Sequence, residues 1–334
     1  MAGLTGTDHS RQVLVSARGL SKVYGSGTQR TTAVEGVDLT VHRGDLYVLM
    51  GLSGSGKSTV LRMLNRLVEP TTGTIELDGR DLSRLSVRKL REVRNRRISM
   101  VFQQFALFPH RTVRENAAYG LLLRGTARPQ ALARADESLR VVGLGDWGDA
   151  RPAELSGGMK QRVGLARALS TDADVLLMDE PFSALDPLIR REMQDLLLRL
   201  RDELGQTVVF VTHDLNEAMR LGDRITILNR GRVAQTGAAA EILGRPADDY
   251  VRRFIGEVDR TKILTARDVM RPAPPGADVH ARAGVGPAET LAEIAGRLPA
   301  DDGGVPVIEA GQVLGYVSSR SVLVAVDRAT EVAA

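Results

Sequence analysis

The sequence predicts an α/β fold built on a largely parallel, buried sheet, and three observations predict it. Three runs of consecutive apolar residues, LYVLM (46–50), VLLM (175–178) and VVFV (208–211), read as strands covered on both faces, and ISMVF (98–102) reads as a further strand. Polar residues suited to ligand chemistry follow each run, as expected at the carboxyl ends of parallel strands. Amphipathic helical stretches separate the runs, and the 334 residues suffice for about two domains of ordinary size.

The first run leads into GLSGSGKST (51–59) and then the helical pattern VLRML. Gly51, Gly54 and Gly56 let the backbone curl until successive N–H groups point inward as an anion nest. Ser53, Ser55 and Thr59 complete the phosphate-binding stretch, Lys57 reaches the β- and γ-phosphates, and the Ser58 hydroxyl ligates Mg²⁺. The helix that starts here adds its N-terminal dipole to the site. The stretch reads as a nucleotide-binding loop and leaves open what the nucleotide is used for.

The absence of cysteine excludes disulfides, zinc ribbons and thiol catalysis. The 45 basic against 41 acidic side chains give a net charge of +4, too diffuse to read as nucleic-acid binding. The N-terminus MAGLTGTDHSRQ lacks the apolar centre of a signal peptide, and residues 1–11 are expected to be disordered. No run reaches the ~18–20 apolar residues that span a bilayer, so any membrane crossing is expected from other chains.

In chain order, VLVSARGL, TAVEGVDLTV and GTIELDGRDL predict an antiparallel layer around the nucleotide loop. Tyr24 is either an ordinary strand-end tyrosine or a stacking platform for adenine. The arginine-rich SRLSVRKLREVRNRR (83–97) reads as a solvated helix face, with contact to anionic lipid as the other reading. From 104 to about 165 the texture is helical: Thr112 caps one run, Pro129 opens another, and Trp147 is expected to anchor the core. Ser156, followed by Gly157 and Gly158, opens a further helix, either as a plain N-cap or as a second phosphate-ready terminus. Asp179 and Glu180 end the VLLM run, where one carboxylate can hold a Mg²⁺ shell and the other orient or deprotonate water. His213 ends the VVFV run beside the same site, and RITIL with GRVAQTG forms a closing hairpin.

The order of these motifs, over about residues 13–240, resembles the ATP-binding-cassette (ABC) ATPases. Residues 51–59 look like their Walker A motif, 175–179 their Walker B and 155–159 their signature, with Met159 where glutamine is commonest. Gln103 matches the Q-loop glutamine, Glu180 the catalytic glutamate, Ala184 to Asp186 the D-loop, His213 the switch histidine and Tyr24 the adenine stacker. The resemblance implies a P-loop cassette with a mixed core, an antiparallel β layer and a helical subdomain. It also implies ATP and Mg²⁺ as cofactors, with Ser58, Gln103 and Asp179 around the metal. Two chains would form a head-to-tail homodimer, each site completed by Ser156, Gly157 and Gly158 of the other.

VFQQFALFPHRTVRENAAYGL, LSGGMKQRVGLARAL and DDYVRRFIGEVDRTKILTARDVM are similar to importer ATPases for glycine betaine and related quaternary amines. That likeness implies a peripheral subunit on the cytoplasmic face of the plasma membrane. It would dock a permease near Phe105, Leu107, Phe108 and Pro109 and act, through it, with an external substrate-binding protein. Residues 12–237 would be the cassette and 238–261 a helical linker. Residues 262–330 resemble a single small α+β cystathionine-β-synthase (CBS) motif. Ser318 is followed there by Ser321 where nucleotide-binding motifs of the type often place an aspartate. The alternatives are an importer ATPase for an amino acid, methionine or sugar, or a non-transport ABC ATPase.

Overall fold

The computed structural model describes residues 12–26, 29–103, 105–256, 258–272, 284–299 and 303–327, so the expected disordered terminus at 1–11 lies outside them. The chain divides into two compact units, one up to Val233 and one from Ala234, the division falling inside the strand Arg232–Gly237, which belongs to a sheet of the first.

In the first unit, strands β1 (Val13–Tyr24) and β2 (Thr31–His42) pair antiparallel. With β4 (Thr72–Leu77) and β5 (Arg80–Asp81) they form a four-stranded sheet of order β2-β1-β4-β5. Its apolar face, with Leu14, Leu20, Val34, Val37, Val41 and Ile75 buried, shares one core with the second sheet. That second sheet contains β3 (Leu46–Met50), β6 (Ile98–Val101), β7 (Val175–Asp179), β8 (Thr207–Thr212), β9 (Arg224–Asn229) and β10 (Arg232–Gly237). Its order is β10-β9-β3-β8-β7-β6, with parallel pairing from β9 through β6. Every residue of β3, β7 and β8 is buried, the burial that uninterrupted apolar runs anticipate. The β9–β10 hairpin turns on Arg230 (φ 46°) and Gly231 (φ 81°), matching the strands' right-handed twist.

Helices α1 (Lys57–Leu64), α2 (Val87–Arg97), α6 (Pro187–Leu204) and α7 (Leu215–Leu221) follow or link these strands. The helical insert packs α3 (Val113–Leu123), α4 (Arg128–Val141) and α5 (Gly157–Leu169) on one another. Thr112 starts α3 in a capping box with Glu115, and Pro129 lies in the first turn of α4. Since α5 runs on to Leu169, the helical subdomain extends past the expected residue 165.

Two expectations are corrected. Trp147 is 42% exposed at the end of a 3₁₀ turn, Gly145–Trp147, so it is no core anchor. The arginine run is not uniformly solvated, because α2 buries Leu90 and Val93 and turns its last arginines inward. Arg94 Nε donates to the Asn65 carbonyl at 2.6 Å, and Arg97 pairs with Asp78 at 2.8 Å and with Asp174.

Asn116 is fully buried in α3 and fastens the preceding loop. It accepts from Phe108 N–H at 2.8 Å and donates to the carbonyls of Phe108 and Thr112 at 3.1 and 3.0 Å. Asn116→Ala leaves these buried backbone groups unpaired, and chemical denaturation is expected to show a loss of about 2–4 kcal/mol. A loss below about 0.5 kcal/mol would remove Asn116 as the fastener of that loop.

In the second unit, α8 (Ala239–Gly244) and α9 (Asp249–Phe254) precede a 3₁₀ turn, Arg260–Lys262, and α10 (Ala266–Val269). Then come α11 (Leu291–Ile294), the antiparallel hairpin β11 (Val305–Glu309) with β12 (Gln312–Val317), and α12 (Ser319–Asp327). Its buried residues include Ile242, Val251, Ile255, Leu264, Ala266, Leu291, Ile294, Val305, Val307 and Val317. Ser318 and Ser321 cap each other's backbone at 3.1 and 3.2 Å. The position where an aspartate was sought therefore closes the start of α12.

Candidate nucleotide-hydrolysis site

The glycine-rich loop leaves the buried centre of the parallel sheet, and its shape is forced by close backbone contacts. At Gly51 (φ 146°) a Cβ would lie 2.3 Å from the Leu228 carbonyl oxygen. At Gly56 (φ 99°) it would lie 2.7 Å from the Ala33 carbonyl oxygen, and at Gly231 2.8 Å from that same atom. Gly231 N–H donates to Ser55 O at 3.1 Å, and Glu35 N–H to Gly231 O at 2.8 Å, so β2 and the β9–β10 hairpin buttress the loop. Ser53 and Gly54 stand exposed at its crest, while Ser55 and Lys57 are buried.

Lys57 folds its ammonium back onto the carbonyls of Gly51 and Leu52 at 2.9 and 3.1 Å. Burial pushes its pKa below the usual lysine value, against the opposing pull of Glu180 and Asp179. Ser58 Oγ donates to Asp179 Oδ1 at 2.7 Å, and Arg62 Nη2, one turn further along α1, pairs with Asp179 Oδ2 at 3.0 Å. Two residues far apart in sequence thus meet because β7 and β3 end on the same edge of the sheet.

Glu180 takes a left-handed conformation (φ 46°), an uncommon one for a side chain of its kind, and its N–H donates to Val211 O at 3.1 Å. Its Oε2 lies 2.9 Å from His213 Nδ1. Gln103 Nε2 donates to Ser183 Oγ at 3.2 Å, and Ser183 Oγ to Glu180 O at 3.0 Å. Gln103, Glu180 and His213, from three strand ends, therefore form one connected group beside Lys57, Ser58 and Asp179.

These residues fit phosphates and Mg²⁺. The buried Ser55 Oγ has no hydrogen-bond partner among the described residues. Gly56 caps α1 without a side chain, leaving the first-turn N–H groups to an anion. The Ser58 hydroxyl and Asp179 carboxylate are the hard oxygen donors that Mg²⁺ takes. Gln103 gives its amide nitrogen to Ser183, which leaves its carbonyl oxygen for a cation.

Other expected site residues stand apart: among the described residues no hydrogen bond or ion pair joins Tyr24, Ser156, Gly157, Gly158 or Asp186 to this group. Tyr24 is 44% exposed, with Lys22 Nζ 5.1 Å from its ring centroid. Ser156 caps α5 through Met159 N–H at 3.3 Å, and Asp186 caps α6 through Ile189 N–H at 3.0 Å. Gly158 has no room for a Cβ, which would meet Ile189 Cγ2 at 2.5 Å. Phe105, Leu107 and Phe108 are half-buried and Pro109 is exposed. Phe108 packs at a tilt against Tyr119, ring centroids 4.4 Å apart, and with Phe102, Leu123 and Arg167 walls a cavity of about 370 Å³. Sequence reasoning missed Arg62 and Ser183; the spacing of Arg62, four residues after Ser58 on one helix face, was the available signal.

The ABC transporter family model matches residues 34–183. The trimethylamine N-oxide transport system ATP-binding protein TmoW of Ruegeria pomeroyi is 45% identical over 291 residues, covering 87% of this chain and 84% of that protein. The chain belongs to the ABC transporter ATP-binding family. Another member of this ABC family, the glycine betaine transport ATP-binding protein OpuAA of Bacillus subtilis, is 51% identical over 267 residues. That alignment covers 80% of this chain and 64% of OpuAA, so this chain spans less than two thirds of that relative's length. Among solved structures, the dimeric ATP-binding cassette MJ0796 in a post-hydrolysis state, bound to ADP and Pi, superposes with a TM-score of 0.62. It is 35% identical, and the match covers 68% of this chain and 99% of that one. The P-loop ABC cassette fold is thereby established, and no helix among the described residues is long and apolar enough to cross a membrane.

Proposed function

We propose that this ABC chain hydrolyses ATP to power import of glycine betaine or a related trimethylated amine through separate membrane-spanning chains. The observation that carries the hydrolytic part is the Glu180–His213 contact at 2.9 Å, beside a carboxylate already bonded to Ser58. The substrate class rests on relatives named for glycine betaine and trimethylamine N-oxide transport.

On this reading the loop N–H groups and Lys57 hold the phosphates and neutralise the charge that develops in the transition state. Glu180 accepts a proton from, or aligns, the attacking water, and His213 keeps Glu180 and the γ-phosphate in register. Ser58 and Asp179, with Gln103 nearby, would hold Mg²⁺, which would supply neutralisation of phosphate charge. Tyr24 stacks on adenine. Most of the rate enhancement is positioning and electrostatics.

Ser156, Gly157 and Gly158 stand outside the Lys57 cluster within one chain, which supports a head-to-tail homodimer in which they close the partner's site. The dimeric cassette bound to ADP and Pi supports the same arrangement. On this reading the cavity walled by Phe108 receives a permease segment and the chain works peripherally at the cytoplasmic face, with relatives named as transport ATP-binding proteins in support. Residues 262–330 act as a single CBS-like motif, a reading supported by the β11–β12 hairpin followed by α12. The mutual Ser318–Ser321 cap argues for a packing role over ribose binding there.

Uptake of labelled glycine betaine, proline betaine, carnitine, choline and trimethylamine N-oxide, with and without this chain, tests the proposal. The expected result is chain-dependent uptake of at least one of them, rising at high osmolarity. Stimulation of none, with phosphate release from ATP intact, would remove the amine assignment and leave the ATPase.

A further inference from the structure

Behind His213 lies a carboxyl group that the hydrolytic scheme leaves unused. Glu217, in the first turn of α7, is 5% exposed. One of its oxygens accepts from Thr212 Oγ1 and the other from Gln194 Nε2 at 3.1 Å. Its backbone N–H donates to Asp214 Oδ1 at 3.1 Å, and Asp214 N–H donates to Thr212 Oγ1 at 2.9 Å. Both sequence neighbours of His213 are therefore fastened to Glu217, one through its hydroxyl and one through its carboxylate.

The fastening continues into α6, the helix that Asp186 caps. Gln194 belongs to α6, and its Oε1 accepts from Arg220 Nη1 at 2.7 Å. Arg190, one turn before Gln194, donates to Leu185 O at 3.0 Å and pairs with Asp214 at 3.4 Å. Glu180, Ser183, Arg190, Thr212, His213 and Glu217 wall a cavity of about 20 Å³, room for one water. The charged groups around Glu217 are Asp214 on its own helix, Arg190 from α6, Glu180 and His213 across the cavity, and Arg220 with Asp195 behind Gln194. Burial pushes the Glu217 carboxyl above the usual carboxylate range, with the Thr212 and Gln194 hydrogen bonds opposing.

We infer that Glu217 is a positioning residue for His213, fixing the turn that aims the imidazole at Glu180 and coupling that turn to α6. A one-residue span between two anchored neighbours has little freedom, so the ring direction is set by what holds Thr212 and Asp214. Both groups facing the carboxyl oxygens donate to them, so an amide at Glu217 can accept from one and forces the Thr212 hydroxyl to turn round if the other contact is to survive. The consequence is confined to turnover, because the partners of Glu217 lie on α6, at the N-cap of α7 and at the end of β8, and among the described residues none lies on the glycine-rich loop.

The inference rests on the hydrolytic reading, and the test separates the two. In the full chain, Glu217→Gln and Thr212→Val are each expected to lower kcat about 10- to 100-fold with KM for ATP within about twofold. Thr212→Ser, which keeps the hydroxyl, is expected to retain the parent rate. The double variant should fall no further than Glu217→Gln alone, because the two side chains act as one unit. A parent rate in Glu217→Gln, a parallel rise in KM, or equal losses in Thr212→Ser and Thr212→Val would overturn the inference. Independently of turnover, the His213 ring resonance in isotope-labelled protein should broaden or shift in Glu217→Gln, and an unchanged resonance overturns it as well. A parent chain with no ATPase activity would count against the hydrolytic reading, and the His213 resonance would still decide the role of Glu217.

Discussion

Glu180→Gln is expected to lower phosphate release from ATP by about 10²–10⁴-fold while nucleotide affinity stays within about twofold. The substitution conserves volume and can keep a hydrogen bond to His213 Nδ1, now 2.9 Å from Oε2, but an amide cannot take a proton from water. The loop N–H groups and Lys57, which carry most of the proposed hold on the phosphates, are not touched by the change. Bound ATP that is not hydrolysed should accumulate a closed two-chain form, seen as a nucleotide-dependent shift in size-exclusion chromatography. Turnover near the parent rate would remove Glu180 from the chemistry and with it the assignment of the site.

Lys57→Ala is expected to fail one step earlier, at binding. The ammonium lies against the Gly51 and Leu52 carbonyls, within the influence of Asp179 and Glu180. Without it two carboxylates face the polyphosphate with one cation fewer to offset them. Loss of charge-assisted contacts worth roughly 3 kcal/mol corresponds to a Kd for ATP raised about 100-fold, measurable by calorimetry. A Kd within about threefold of the parent would show that the backbone nest alone carries the affinity. Together the two variants separate holding the nucleotide from cleaving it.

The parallel sheet was legible because uninterrupted apolar runs such as LYVLM and VLLM have few other homes, and here every residue of both is buried. The pairing of Ser58 with Asp179 was legible for a related reason: both follow strands of one sheet, where chemistry collects at the carboxyl ends. Arg62 was legible only as a neighbour of Ser58 on one helix face, since an arginine on an amphipathic helix reads as solvated until a partner from another strand appears beside it. Glu217 was hidden by a local decoy. In DLNE it occupies the position of a capping-box acid, three residues after the Asp214 cap, but its carboxyl turns inward to Thr212 and Gln194. Trp147 misled in the other direction: its size suggested the core, whereas the short 3₁₀ turn carrying it holds the ring at the surface. The mutual cap of Ser318 and Ser321 depends on helix geometry that spacing alone suggests but does not determine.

Gly56 and Gly231, from distant parts of the chain, both press against the carbonyl oxygen of Ala33. By length and by the exposure of Arg230, the 230–231 turn looks like a tolerant place to open, permute or tag the protein. It is a poor one. A single added carbon at 231 has to displace the Ala33 strand, and that strand backs directly onto the glycine that opens α1. A protein engineer who loosens this outlying hairpin would therefore be remodelling the phosphate pocket from behind.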